Sequence, residues 1–110
     1  MTTVTFQTEQ GRITGFRSQG HSGYGDAGTD IVCAAVTSAI RLAEATVNDV
    51  LGLAAAVKIR PEDAYISLRL PGGLASEAES ACQALMAGLM VYLTQLHDEY
   101  PENIEVLEEE

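Results

Sequence analysis

Basic residues are scarce in this chain: six lysines and arginines face sixteen aspartates and glutamates, for a formal charge of −10. Such a surface repels phosphate backbones, which argues against a direct grip on nucleic acid and favours basic peptides or proteins as partners. Cysteine is scarce too. Cys33 and Cys82 lie far apart, each inside a helical pattern, and read as free thiols of a reducing, cytoplasmic compartment. No N-terminal run of basic then apolar residues marks a secretory signal. The longest apolar stretch is broken by Arg41, Glu44, Asn48 and Asp49, so no membrane span is expected. No internal repeat occurs, and the one biased segment is the acidic tail Glu108-Glu109-Glu110, read as solvated.

What remains is an ordinary globular mixture, 46% hydrophobic and 20% charged, of a size for one domain. Residues 1–107 are expected to form it, with 108–110 as the tail. Val4 and Phe6 alternate with threonines and Gln7 in Thr3 to Thr8, a strand pattern. Glu9-Gln10-Gly11 supplies turn chemistry, and Arg12 to Gln19 reads as the second strand of a hairpin ending at Gly20-His21. An alanine-rich run without proline predicts a helix over Ile31 to Leu53, with Thr29 or Asp30 as N-cap. Ala64 to Leu70 alternates as a third strand, stopped by Pro71-Gly72-Gly73.

Ser76-Glu77-Ala78-Glu79 has the form of a capping box opening a second helix. Its apolar stripe runs through Ala78, Cys82, Leu85, Leu89, Leu93 and Leu96, and Tyr100-Pro101 closes it. Asn103 to Leu107 is the last strand. The order β-β-α-β-α-β predicts an α/β (α+β) two-layer sandwich, two long helices packed on a four-stranded sheet.

Chemistry concentrates between Gly20 and Cys33. His21 stands just before a glycine-rich stretch, and Cys33 stands about one turn into the first helix, where unpaired amides and the helix dipole favour a thiolate. Three glycines within Ser22 to Gly28 predict a mobile loop that could bend the imidazole toward the sulfur. Each residue also has a bland reading. Cys33 could be a small buried side chain, and His21 an exposed loop residue without a task. Asp30 could cap the helix or orient His21; a carboxylate close to Cys33 opposes the thiolate. Thr37, four residues on and on the same helical face, could line a site or bond back to its own helix. Cys82 reads as core, and His97 as a capping residue near the end of its helix. Zinc ligation is not expected, because no ligand pair has the usual spacing. The loop matches neither a Walker pattern nor a dinucleotide fingerprint.

Gly20-His21, the glycine-bearing loop and Asp30-Ile31-Val32-Cys33-Ala34 together closely resemble the ribosomal-processing cysteine protease family called Prp. The resemblance extends along the whole chain, including Glu99-Tyr100 and the Asn103-Ile104 start of the last strand. It implies a cysteine endopeptidase that removes an N-terminal extension from the twenty-seventh large-subunit ribosomal protein. It further implies Cys33 as nucleophile, His21 as general base, Asp30 and Thr37 in support, and no cofactor. Ser22, Gly23, Tyr24, Gly25, Asp26, Ala27 and Gly28 would form the loop that closes on the substrate. A homodimer and a basic ribosomal protein's extended N-terminus are the partners it implies. Ala35 and Thr37 stand where relatives also carry glycine and serine, which touches only substrate fit. The competing reading is a non-catalytic ribosome-assembly factor whose acidic surface holds a basic protein; the absence of a Cys-x-x-Cys pair sets a redox role behind both.

Overall fold

The structure, a computed structural model, describes residues 1–21 and 30–110. The expected substrate loop, residues 22–28, and the alternative cap Thr29 lie outside the described residues. The elements follow as β1 (Thr2–Glu9), β2 (Arg12–Gln19), α1 (Ile31–Glu44), β3 (Ala56–Arg60), β4 (Tyr65–Arg69), α2 (Ser76–Glu99) and β5 (Ile104–Glu109). A π-helical segment, Ala45–Val50, continues α1, and a 3-10 turn, Pro61–Asp63, joins β3 to β4.

Gln10 and Gly11 both have positive φ, 52° and 79°, which gives the two-residue turn that matches strand twist and sets the β1–β2 register. That register places Phe6 opposite Phe16, with ring centroids 5.8 Å apart and planes tilted by 49°. Pairing then spreads outward in the order β3-β4-β2-β1-β5. Among the described strands, only β1 and β5 run parallel. Strand alternation puts Val4, Phe6, Phe16, Leu68 and Ile104 on one face, all buried, and Thr3, Arg17, Ser67 and Glu105 on the other. Val32, Val36, Ile40 and Ala43 of α1 and Cys82, Met86, Leu89, Leu93 and Leu96 of α2 complete the same core. Each large side chain withdrawn from water there stabilises the fold by about 1.5–3 kcal/mol before entropy is counted. The two-layer arrangement is the expected one.

Several details differ from expectation. The sheet has five strands, not four, because Ala56–Arg60 pairs with β4 as an edge strand. The first helix leaves α geometry at Ala45, and its C-terminal part is tied down by Asn48, whose amide group exchanges two hydrogen bonds with the Ala55 backbone (2.7 and 3.3 Å). Ser76 does not cap α2. Ala75 holds that position without a side-chain bond, and Glu79 instead forms an ion pair with Arg12 of β2. The buried stripe of α2 includes Met86 at full burial, whereas Ala78 and Leu85 are half-buried. β5 runs on to Glu109, so Glu108 and Glu109 are strand residues; Arg17 grips Glu109 through both carboxylate oxygens at 2.6 and 3.1 Å and holds that carboxyl below its usual range.

By length and mean hydropathy (1.3), Ile31–Val50 would pass for a membrane span. Its use here is different: one face packs on the sheet through Val32, Val36, Ile40, Ala43 and Val47, while Arg41 and Glu44 lie elsewhere on its circumference.

Candidate functional site

β2 ends where the chain must leave the sheet. Gly20 does so with φ +86°, and a Cβ there would lie 2.6 Å from the Met1 carbonyl oxygen, so no other residue fits without moving β1. The Thr2 hydroxyl donates to the Gly20 carbonyl at 3.0 Å and fixes the exit direction. His21 follows at once and is exposed.

The chain returns at Asp30, which is 4% exposed and has extended backbone angles. Its carboxylate accepts from the Cys33 amide at 2.9 Å, and its carbonyl accepts from the Ala34 amide at 3.1 Å. This is N-cap geometry, so Asp30 meets the capping half of its expected roles and satisfies one of the orphan donors that open a helix. Cys33 is thereby fixed in the first turn of α1, half-buried.

Cys33 lines a cleft of about 440 Å³. Gly20 lies on the same wall region as Thr2 and Ser18, at the ends of β2 and β1; Thr37, Arg41 and Glu44 continue the wall along α1. The β3–β4 hairpin adds Ile59, Pro61, Ala64, Tyr65 and Ile66 to the lining. Thr37 is exposed in this cleft, in keeping with a residue that lines a site. The sequence patterns single out Cys33, Asp30 and Thr37, and the fold brings these three together. Arg41, Glu44 and the β3 wall were not anticipated. Glu44 could have been found from its spacing, since eleven residues after Cys33 return to nearly the same side of a helix, whereas Arg41, eight residues on, lies about 80° round.

A larger hollow, about 580 Å³, lies between α1 and α2, lined by Ala39, Leu42, Leu85, Gly88 and Tyr92. It offers a phenol and a serine hydroxyl amid apolar groups, so bond-breaking chemistry belongs to the smaller cleft. Cys82 is fully buried, and burial pushes its thiol up, away from reactivity. His97 does not cap its helix; its Nδ1 donates to the Ile104 carbonyl at 2.6 Å and ties α2 to β5.

A thiol at a helix head, open to a cleft lined by both polar and apolar side chains, is suited to attack on an extended peptide. Known proteins agree. The family model for cysteine protease Prp matches residues 1–105. The ribosomal processing cysteine protease Prp of Bacillus subtilis (strain 168) is 30% identical over 94 residues, which are 86% of this chain and 84% of that protein. The crystal structure of the essential ribosomal processing protease Prp from S. aureus, with a covalently linked product peptide, superposes with a TM-score of 0.81 at 25% identity. It covers 99% of this chain and 100% of that one. SMU.848 from Streptococcus mutans shares the fold with a TM-score of 0.81 at 22% identity, over 99% of this chain and 96% of that one. The chain belongs to the Prp cysteine protease family of ribosomal-processing peptidases.

Proposed function

We propose that this protein is a cytoplasmic cysteine endopeptidase that removes the N-terminal extension of the twenty-seventh large-subunit ribosomal protein, with Cys33 as nucleophile and His21 as general base. The observation that carries this reading is the position of Cys33: first turn of α1, inside a cleft whose wall includes Gly20, the residue before His21. In the reaction His21 takes the thiol proton, and the sulfur bonds to the scissile carbonyl carbon. The oxyanion forms beside the helix head. Because the Cys33 amide is held by Asp30, other amides of the first turn receive it. The C–N bond then breaks as His21 returns the proton to the leaving amine, and water hydrolyses the thioester to a carboxylate and the free thiol. Asp30 positions the nucleophile by fixing the turn that carries it, and Thr37 borders the bound peptide. The charge of −10 favours encounter with a basic ribosomal protein.

The hollow between α1 and α2, where Leu42 and Tyr92 are 66% and 45% exposed, supports a homodimer that covers this apolar strip. Incubation with the extended N-terminal segment of the host's ribosomal protein, read by mass spectrometry, tests the enzymatic reading. One cut is expected, absent for Cys33→Ala and for His21→Ala. Binding without any cut would instead fit an assembly factor.

A further inference from the structure

Eleven residues make about three helical turns, so Glu44 lies on nearly the same bearing of α1 as Cys33, roughly 16 Å further along. Both line the same cleft. The rest of the lining includes Ile59, Pro61, Tyr65 and Ile66 of the β3–β4 hairpin. A peptide extended along this cleft advances about 3.3 Å per residue, so roughly five residues separate the bond at Cys33 from the side chain at Glu44. Glu44 is half-buried, and among the described residues it forms no ion pair. Arg41, one turn nearer to Cys33, lines the cleft from an exposed position and likewise forms no ion pair among the described residues. The two charges have not neutralised each other, although three-residue spacing on a helix permits it.

We infer that Glu44 is a specificity-determining residue that receives a lysine or arginine side chain about five residues from the scissile bond, while Arg41 rejects a basic side chain placed nearer. The cleft thus reads the position of a positive charge as well as its presence. An even acidic surface would attract cations anywhere along the peptide. A carboxylate at the far end with a guanidinium in front of it accepts them at one distance only. The inference rests on the peptidase reading of Cys33 and adds a substrate requirement to it.

The test uses the host's ribosomal N-terminal segment with its charged side chains replaced by glutamine, and one lysine walked through two to six residues on each side of the cut. Cleavage by the wild-type protein is expected to peak with lysine at the fourth to sixth residue on one side. The gain there is about fivefold in kcat/KM over the neutral parent, the scale of a partly solvated ion pair. Glu44→Gln removes the peak, while an unchanged urea midpoint shows that the variant is folded. Arg41→Gln spreads the peak toward the bond. A flat lysine profile, a peak within three residues, or a peak that survives Glu44→Gln overturns the inference. If the wild-type protein cuts no peptide, the peptidase reading fails separately. The same lysine series is then measured by fluorescence anisotropy on Cys33→Ala, where a Glu44-dependent peak in affinity upholds the cleft's selectivity and a flat series ends it.

Discussion

Replacing Asp30 separates its structural from its electrostatic effect. The carboxylate accepts from the Cys33 amide at 2.9 Å and is almost wholly buried, so Asp30→Ala leaves that amide without its partner. Loss of a side-chain N-cap costs about 1 kcal/mol, within a range of about 0.5–2. At about 2.1 cal/mol/K of unfolding entropy per residue, a chain of 110 residues loses about 4 °C in Tm for each kcal/mol. Asp30→Asn keeps an acceptor oxygen at the same position and should lose less than about 0.5 kcal/mol. It also removes a negative charge beside Cys33, and a carboxylate there opposes the thiolate. Alkylation of Cys33 by iodoacetamide should therefore reach its plateau at lower pH in Asp30→Asn than in the wild type, at nearly unchanged stability. Urea titration and alkylation rates across pH measure the two effects. Equal destabilisation by Asn and Ala would refute the cap argument, and an unmoved alkylation profile would refute the electrostatic one.

Gln83→Leu should destabilise by about 2–3 kcal/mol in urea, because Gln83 both accepts from the Ile13 amide and donates to the Ile13 carbonyl at 2.8 Å, and both backbone groups would lose their partner. A loss under about 0.5 kcal/mol would mean that water replaces the pair. Cys82 has its folded-state thiol pushed up, first by burial and then by Glu79, so its contribution is complete below the ordinary thiol range and is lost as pH rises toward the folded value. As pH rises through and above the ordinary thiol range, wild-type stability should fall more steeply than that of Cys82→Ala, and parallel curves would contradict the assignment. In the native state, a thiol reagent should titrate Cys33 and spare Cys82.

The parts of the fold legible in sequence are those whose residues carry their own local reason. The β1–β2 hairpin is written in the alternation of Val4 and Phe6 and in the turn residues Gln10-Gly11, and β2 has the expected bounds. Asp30 announces a helix start by chemistry alone. β3 was missed because its five residues bury no side chain fully, with Val57 half-buried and Ile59 exposed, and it depends on pairing with β4 for its conformation. The capping box at Ser76 failed for a tertiary reason: Arg12, distant in sequence, takes the Glu79 carboxylate that the motif would have used locally. The same divide runs through the site. Cys33, Asp30 and Thr37 are neighbours through helix geometry, which sequence spacing encodes. The wall of Ile59, Pro61 and Ile66 comes from an edge hairpin whose place beside α1 is set by the order of strands, and no local pattern records that order.

The pairing of β1 with β5 has a kinetic consequence. Thr2 lies opposite Ile104, and the two are separated by nearly the whole length of the chain. Such a contact is expensive to close and forms late, whereas the β1–β2 hairpin can assemble from its own turn. Until residues 104–109 arrive, β1 presents an open row of amides and carbonyls to any other extended chain. The Thr2 amide, which in the finished fold donates to the Asn103 carbonyl, is part of that row, and the Thr2 hydroxyl is what orients Gly20 at the cleft. Assembly of the cleft is thus tied to the slowest pairing in the sheet, so an incompletely synthesised or partly folded chain has an adhesive edge before it has a finished site.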